Sequence, residues 1–112
     1  MNTAIVETQL AAYNARDAAA FAACYAPDVQ TIDLIAGEAR HVGHAVFAAA
    51  YAEQFERWPD QRATVVSRQI AGQLVIDTEF ITGVPGRADA HVVVMYHVAD
   101  GLINRVWFSP RF

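Results

Sequence analysis

Residues 73–83 read QLVIDTEFITG, from Gln73 to Gly83, and their period of two marks a β-strand rather than a helix. Successive strand side chains point to opposite faces. Leu74, Ile76, Thr78, Phe80 and Thr82 therefore share one face, and Gln73, Val75, Asp77, Glu79 and Ile81 share the other. With Phe80 taken as the inward residue, Asp77 and Glu79 fall on the outer face as solvated or interface charges. Similar runs lie at 63–71, 89–98 and 102–109. They are separated by Gly72, by Gly83-Val84-Pro85-Gly86 and by Asp100-Gly101, the last a strong hairpin signal. Consecutive strands with tight turns predict an antiparallel meander.

Upstream the period changes. Val6, Gln9, Leu10 and Tyr13 fall on one stripe of an amphipathic helix. Asp17 is placed to N-cap a short second helix, on which Phe21, Cys24 and Tyr25 share a face and which Pro27-Asp28 should end. A strand from about Val29 to Ala36 turns at Gly37 and returns through Ala39 to Val42. Gly43 opens a third helix carrying Phe47, Tyr51, Phe55 and Trp58 at helical spacing, and Pro59-Asp60 stops it. Helices gathered before an antiparallel sheet predict an α+β fold, and 112 residues predict one domain, 1–112.

Composition narrows the function. The chain is 54% hydrophobic and 18% charged, more apolar than one thin core needs, which predicts an internal cavity, a buried subunit interface or both. Val92, Val94, Tyr96 and Val98 oppose His91, Val93, Met95 and His97 on the 89–98 strand, so both faces need cover. A homodimer through the outer sheet face is the simplest second cover. The net charge of −4, with all eight cations arginine and scattered, argues against nucleic acid. No apolar run is long enough to span a membrane, no secretory signal pattern opens the chain, and the single cysteine excludes an internal disulfide. A cytoplasmic location is expected.

Three segments carry a resemblance: Gln9-Leu10-Ala11-Ala12-Tyr13-Asn14-Ala15-Arg16-Asp17, then Cys24-Tyr25-Ala26-Pro27-Asp28-Val29, and Asp100-Gly101-Leu102-Ile103-Asn104-Arg105-Val106-Trp107-Phe108. With Gly43 at its helix start, the chain resembles the SnoaL-like group of the NTF2-like superfamily, which includes ketosteroid isomerase. The resemblance implies a cone, with a strongly curved antiparallel sheet wrapped around the N-terminal helices and an internal apolar pocket, and dimerisation through the outer sheet face. It is specific for fold and weak for activity, since isomerases, cyclases, dehydratases and non-catalytic modules share this scaffold.

By that resemblance Asp33 falls where ketosteroid isomerase carries its catalytic base. Its neighbours Ile32, Leu34 and Ile35 would strip its hydration and raise its pKa. The alternative is a strand-end carboxylate accepting backbone hydrogen bonds. The carbonyl-polarising groups of that enzyme do not carry over, because Gln9 stands at its tyrosine position and Met95 at its aspartate position. A methionine has no proton to donate, and losing one oxyanion donor raises a barrier by about 3 kcal/mol, so 3-oxosteroid isomerisation is not expected. Tyr51 matches a pocket tyrosine, although its spacing with Phe47 and Phe55 equally fits the core. The expected pocket contacts are Gln9, Tyr13, Tyr51, Phe55, Trp58, Phe80, Met95, His97 and Phe108, with Asn104 near the rim.

No metal site is expected. His41 and His44 flank the Gly43 turn without a ligand motif. His91 and His97 share a strand face but stand about 20 Å apart at strand rise. Three functions remain open: a cofactor-independent isomerase, cyclase or dehydratase acting on a small hydrophobic carbonyl compound with Asp33 as base; a non-catalytic module binding a small apolar molecule; or a dimerisation domain with a collapsed pocket.

Overall fold

In the computed structural model, which describes residues 2–112, the expected order of elements is present. Helix α1 (Asn2–Ala15) buries Val6, Gln9 and Ala12. Arg16 then reverses the chain in a left-handed conformation with φ of 58°, and its guanidinium holds the Trp58 carbonyl and Gln61 Oε1. Asp17 caps α2 (Ala18–Ala22) by accepting a hydrogen bond from the Ala20 N–H at 3.0 Å. Helix α3 (His44–Arg57) follows Gly43 and buries Phe47 and Phe55.

The strands are β1 (Tyr25–Asp33), β2 (Ala39–Val42), β3 (Arg62–Ala71), β4 (Leu74–Thr82), β5 (Ala90–Ala99) and β6 (Leu102–Phe108). They form one six-stranded sheet in the order β2-β1-β6-β5-β4-β3, antiparallel throughout except where β1 runs parallel to β6. Helix α2 ends earlier than expected, and Pro27-Asp28 lie inside β1 instead of terminating a helix. The physical reason is local. The β1–β6 register is interrupted between Tyr25 and Gln30, so the missing Pro27 N–H disrupts no ladder bond there. Register shifts also fall at Thr31/Ile32, Val65/Ser67 and His97/Val98. Such irregularities bend strands and raise their twist, which curves the sheet toward the helices.

The face assignment of β4 is the reverse of the one expected. Val75, Asp77, Glu79 and Ile81 are buried, while Leu74, Ile76, Thr78 and Phe80 are half-exposed on the outer face. Counting apolar residues favoured the wrong face. A partner on the next strand overrides the count: Arg68 lies opposite Asp77 in the β3–β4 register and donates to both of its carboxylate oxygens, at 2.7 and 2.9 Å. Arg68 also reaches Glu7 of α1, tying helix to sheet. On the outer face Ile76, Met95 and Trp107 form a half-exposed cross-strand row.

The main core gathers Val6, Phe21, Phe47, Val94 and Ile103 between the helices and the inner sheet face. A second cluster, Ala63, Ile81 and Val84, lies where the start of β3 meets the end of β4 and accepts Trp58 and Leu10. Gly83 stands beside it with φ of +77°, and a Cβ there would sit 2.1 Å from the Asp60 carbonyl oxygen. Gly83→Ala should therefore destabilise the fold by about 2–4 kcal/mol, from backbone strain plus overpacking. Gly37→Ala, with φ of +74° and open space around it, should cost only about 1–2 kcal/mol. Urea unfolding of both variants checks the contrast, and equal losses would remove the close-approach argument.

Candidate functional site

The inner sheet face, α1 and α3 enclose a cavity of about 570 Å³, within the size range of small-molecule sites. Its wall is mostly aromatic and aliphatic, with Phe21, Phe47, Val92, Val94 and Val106 among its residues. Phe21 is central to the helical side of the wall. It stacks on Phe47 with centroids 5.6 Å apart and meets Tyr51 at 4.9 Å and Tyr25 at 5.0 Å.

Into this apolar space the fold brings a linear chain of polar side chains from four elements. Tyr25 of β1 donates through Oη to Gln9 Oε1 on α1, at 2.9 Å. Gln9 Nε2 donates to its own helix at the Val6 carbonyl and to Tyr96 Oη on β5, at 3.0 and 3.2 Å. Tyr96 Oη donates to Glu79 Oε2 on β4 at 3.0 Å. Glu79 makes no other hydrogen bond, and no buried side-chain oxygen in the described residues lacks a partner. Its Oε1 is thus the oxygen that retains access to the cavity.

Burial dominates the electrostatics here. Desolvation lifts the Glu79 pKa from 4.5 to about 7, opposed by the Tyr96 hydrogen bond and assisted by the Asp77 charge. Burial likewise pushes Tyr13 up to about 12, and raises Tyr25, Tyr51 and Tyr96 as well, so all four stay phenols near neutrality. Asp77, on the same strand face, is held by the Arg68 fork instead.

A second polar group lines the wall from the β1–β2 hairpin. His41 Nδ1 lies 2.7 Å from Thr31 Oγ1, and the ring meets Tyr51 edge-on at 6.1 Å. Burial, helped by the Arg40 charge, lowers the His41 pKa and favours a neutral imidazole. Tyr51 Oη makes no hydrogen bond within the described residues, and its ring lines the cavity, so the hydroxyl is available to a ligand.

Asp33 is placed differently from the sequence expectation. Its Oδ1 accepts the Ile35 and Ala36 N–H groups at 3.0 and 2.8 Å, and its Oδ2 accepts from Arg40 at 2.8 Å. The backbone bond from Ala36, followed by the Arg40 hydrogen bond, lowers its pKa rather than raising it. Asp33 closes the β1–β2 turn and does not line the cavity. Of the apolar neighbours that suggested desolvation, Leu34 and Ile35 are exposed, Ile35 at 74%.

Of the expected contacts, Gln9, Tyr13, Tyr51 and Phe108 line the cavity. Phe55 stands behind them in the core, 5.5 Å from the Tyr13 ring. Trp58 terminates α3 and packs on the second cluster. Phe80, Met95, His97 and Asn104 belong to the outer face. Phe80 packs on His91 at 4.9 Å, and His97 Nδ1 meets Asn104 Oδ1 at 2.6 Å. These misplacements follow from the reversed face of β4 and from cross-strand pairing. Thr31, Tyr25, Tyr96 and the cavity role of Glu79 were missed. Tyr96 alone carried a signal, as a polar tip on the Val92-Val94-Val98 face. Among the described residues no three His, Cys, Asp or Glu side chains are grouped to hold a metal ion, and no helix is long and apolar enough to cross a membrane.

The SnoaL-like domain family matches residues 6–106 of the chain. No curated protein matches it in sequence. Among solved structures, an uncharacterised cystatin-fold protein from Novosphingobium aromaticivorans is 26% identical, with 96% of each chain covered and a TM-score of 0.87. A protein from Kribbella flavida, described as a ketosteroid isomerase by assignment, is 25% identical over 96% of this chain and 76% of that one, with a TM-score of 0.80. A ketosteroid isomerase-like protein from Catenulispora acidiphila, solved in complex with trimethylamine, is 17% identical over 93% of this chain and 82% of its own, with a TM-score of 0.76, a likeness of fold alone. The match over most of the sequence, with the shared helix-and-curved-sheet architecture, places the chain in the SnoaL-like domain family.

Proposed function

We propose that this protein is a cofactor-independent enzyme that moves a proton on a small, largely apolar carbonyl compound, with Glu79 as its acid–base group in place of Asp33. The observation that supports it is a single desolvated carboxylate opening onto an aromatic cavity with a pKa of about 7. A group poised near neutrality serves as base in one step and acid in the next. As the carboxylate, Glu79 Oε1 accepts a proton α to the substrate carbonyl. As the acid, it returns that proton to another carbon or to a departing hydroxyl, giving isomerisation or dehydration. The Tyr25–Gln9–Tyr96 chain fixes the carboxylate and leaves one oxygen free. Tyr51 Oη, kept protonated by burial, supplies a donor for the enolate oxygen that Met95 cannot provide. His41, which also lines the cavity, is a second proton carrier.

A cavity whose only polar group is Gln9, with Asp33 turned to solvent, would favour the binding-module reading instead. Asp33 is outside, but Glu79, Tyr51 and His41 converge on the space, which favours catalysis.

Exchange of the α-protons of α-tetralone in deuterated buffer, followed by NMR, tests the reading without a known substrate. Glu79→Gln should lower exchange by about a hundredfold or more, the usual scale of general-base catalysis. Asp33→Asn should leave it unchanged, and the wild-type rate should rise with ionisation through about pH 7. Equal rates for wild type and Glu79→Gln would refute the assignment. Ketone binding with no exchange above buffer would return the chain to the binding-module reading.

Stability offers an independent check. Native Glu79 holds its proton up to about pH 7, whereas the unfolded carboxyl releases it near 4.5. The folded state therefore binds more protons between these values, and stability falls as pH rises through that window. Glu79→Gln, which can still accept the Tyr96 hydrogen bond, should match wild type near pH 4. It should exceed wild type by up to about 3 kcal/mol near pH 8, as measured by urea unfolding. A pH-independent difference would show that Glu79 ionises normally.

A further inference from the structure

The charges around the cavity run against those of the chain. The whole sequence has 12 acidic and 8 basic residues, yet the cavity is lined by Arg40, Arg87 and Arg111 and by one acid, Glu79. These charges occupy different depths. Glu79 is only 6% exposed, whereas Arg40 is half-exposed, Arg87 is exposed and Arg111 is partly buried. The carboxylate thus belongs to the interior and the guanidiniums to the mouth.

Two of the three arginines have no carboxylate to neutralise them. Arg40 is paired with Asp33, but the ion pairs among the described residues include neither Arg87 nor Arg111. Asp89 shares a shallow surface depression with both, without forming an ion pair to either. The fold nonetheless anchors Arg111 and brings it to the loop of Arg87. The tail beyond β6 pairs with β5, where the Ser109 N–H donates to the Val93 carbonyl and His91 and Phe112 exchange backbone bonds at 2.7 and 2.9 Å. Arg111 is carried on that tail, and its Nη2 donates to the Ala88 carbonyl at 2.9 Å, tying the tail to the loop that bears Arg87. Both arginines line the cavity and the surface depression alike.

We propose that the ligand is an amphipathic organic acid, with an apolar body inside the cavity and a carboxylate at the mouth held by Arg87 and Arg111. Guanidinium groups match a carboxylate in geometry as well as charge. The anion lies away from Glu79, so its reacting carbon and its anchoring group are recognised by separate ends of one cavity. This inference rests on the reading of the cavity as a ligand site and adds the substrate's charge.

Calorimetric titration with naphthoate and with naphthamide, its uncharged isostere, tests it on the intact chain. Naphthoate should bind about tenfold tighter or more at low salt, and the preference should shrink as salt screens the charges. The Arg87→Gln/Arg111→Gln double variant should bind both compounds alike. The remote Arg57→Gln should keep the preference, separating this inference from net charge. Equal binding of acid and amide to the wild type would overturn the organic-acid proposal while leaving the cavity as an apolar site. A preference that survives in the double variant would overturn the role of these arginines. Failure of both compounds to bind would overturn the proposal together with the ligand-site reading beneath it.

Discussion

Strand β4 turns two carboxylates, Asp77 and Glu79, toward the interior, and much of the molecule is arranged around making that tolerable. Burying an unpaired charge costs several kcal/mol, so each carboxylate needs a partner or must give up its charge. Asp77 takes the first route through the Arg68 fork, and Arg68 in turn reaches Glu7 on the first helix. Glu79 takes the second, holding a proton to about pH 7 while Tyr96 donates to it. One strand face therefore contains a structural ion pair and, two residues away, a carboxyl raised toward neutrality.

That division shapes the cavity. The Arg68–Asp77 pair ties α1 to β3 and β4, and Gln9 on the same helix bridges Tyr25 on β1 to Tyr96 on β5. Residues distant in sequence thereby fix opposite walls of one space. The parallel β1–β6 pairing completes the enclosure by bringing Tyr25 and Thr31 into the sheet that carries Tyr96 and Glu79. At the opening, the β5-paired tail and the β4–β5 loop supply arginines rather than further aromatic surface.

The fold was largely legible because it rests on local signals. Asp17 caps its helix as its side chain dictates, Gly43 opens α3, and Asp100-Gly101 turns the last hairpin. The site was less legible. Asp33 has apolar sequence neighbours, but a turn lets its side chain collect two backbone N–H groups and an arginine while Ile35 turns to solvent. Phe80, Met95, His97 and Asn104 were sought in the pocket and stand on the outer face, because apolar count cannot identify the inner face of a strand that is apolar on both.

By itself the sequence determined the helix–helix–hairpin–helix–meander order, the excess of apolar side chain that a cavity accommodates, and the family. These follow from periodicity, caps and turn residues, which act over a few positions. Tertiary structure alone decided which carboxylate lies inside. That outcome depends on Arg68 meeting Asp77 across a bulged register and on Tyr96 meeting Glu79 across two strands. Desolvation is a property of the assembled surroundings. For that reason the shift of Glu79 toward neutrality, and the lowering of Asp33 by its turn and by Arg40, emerge only from the assembled fold.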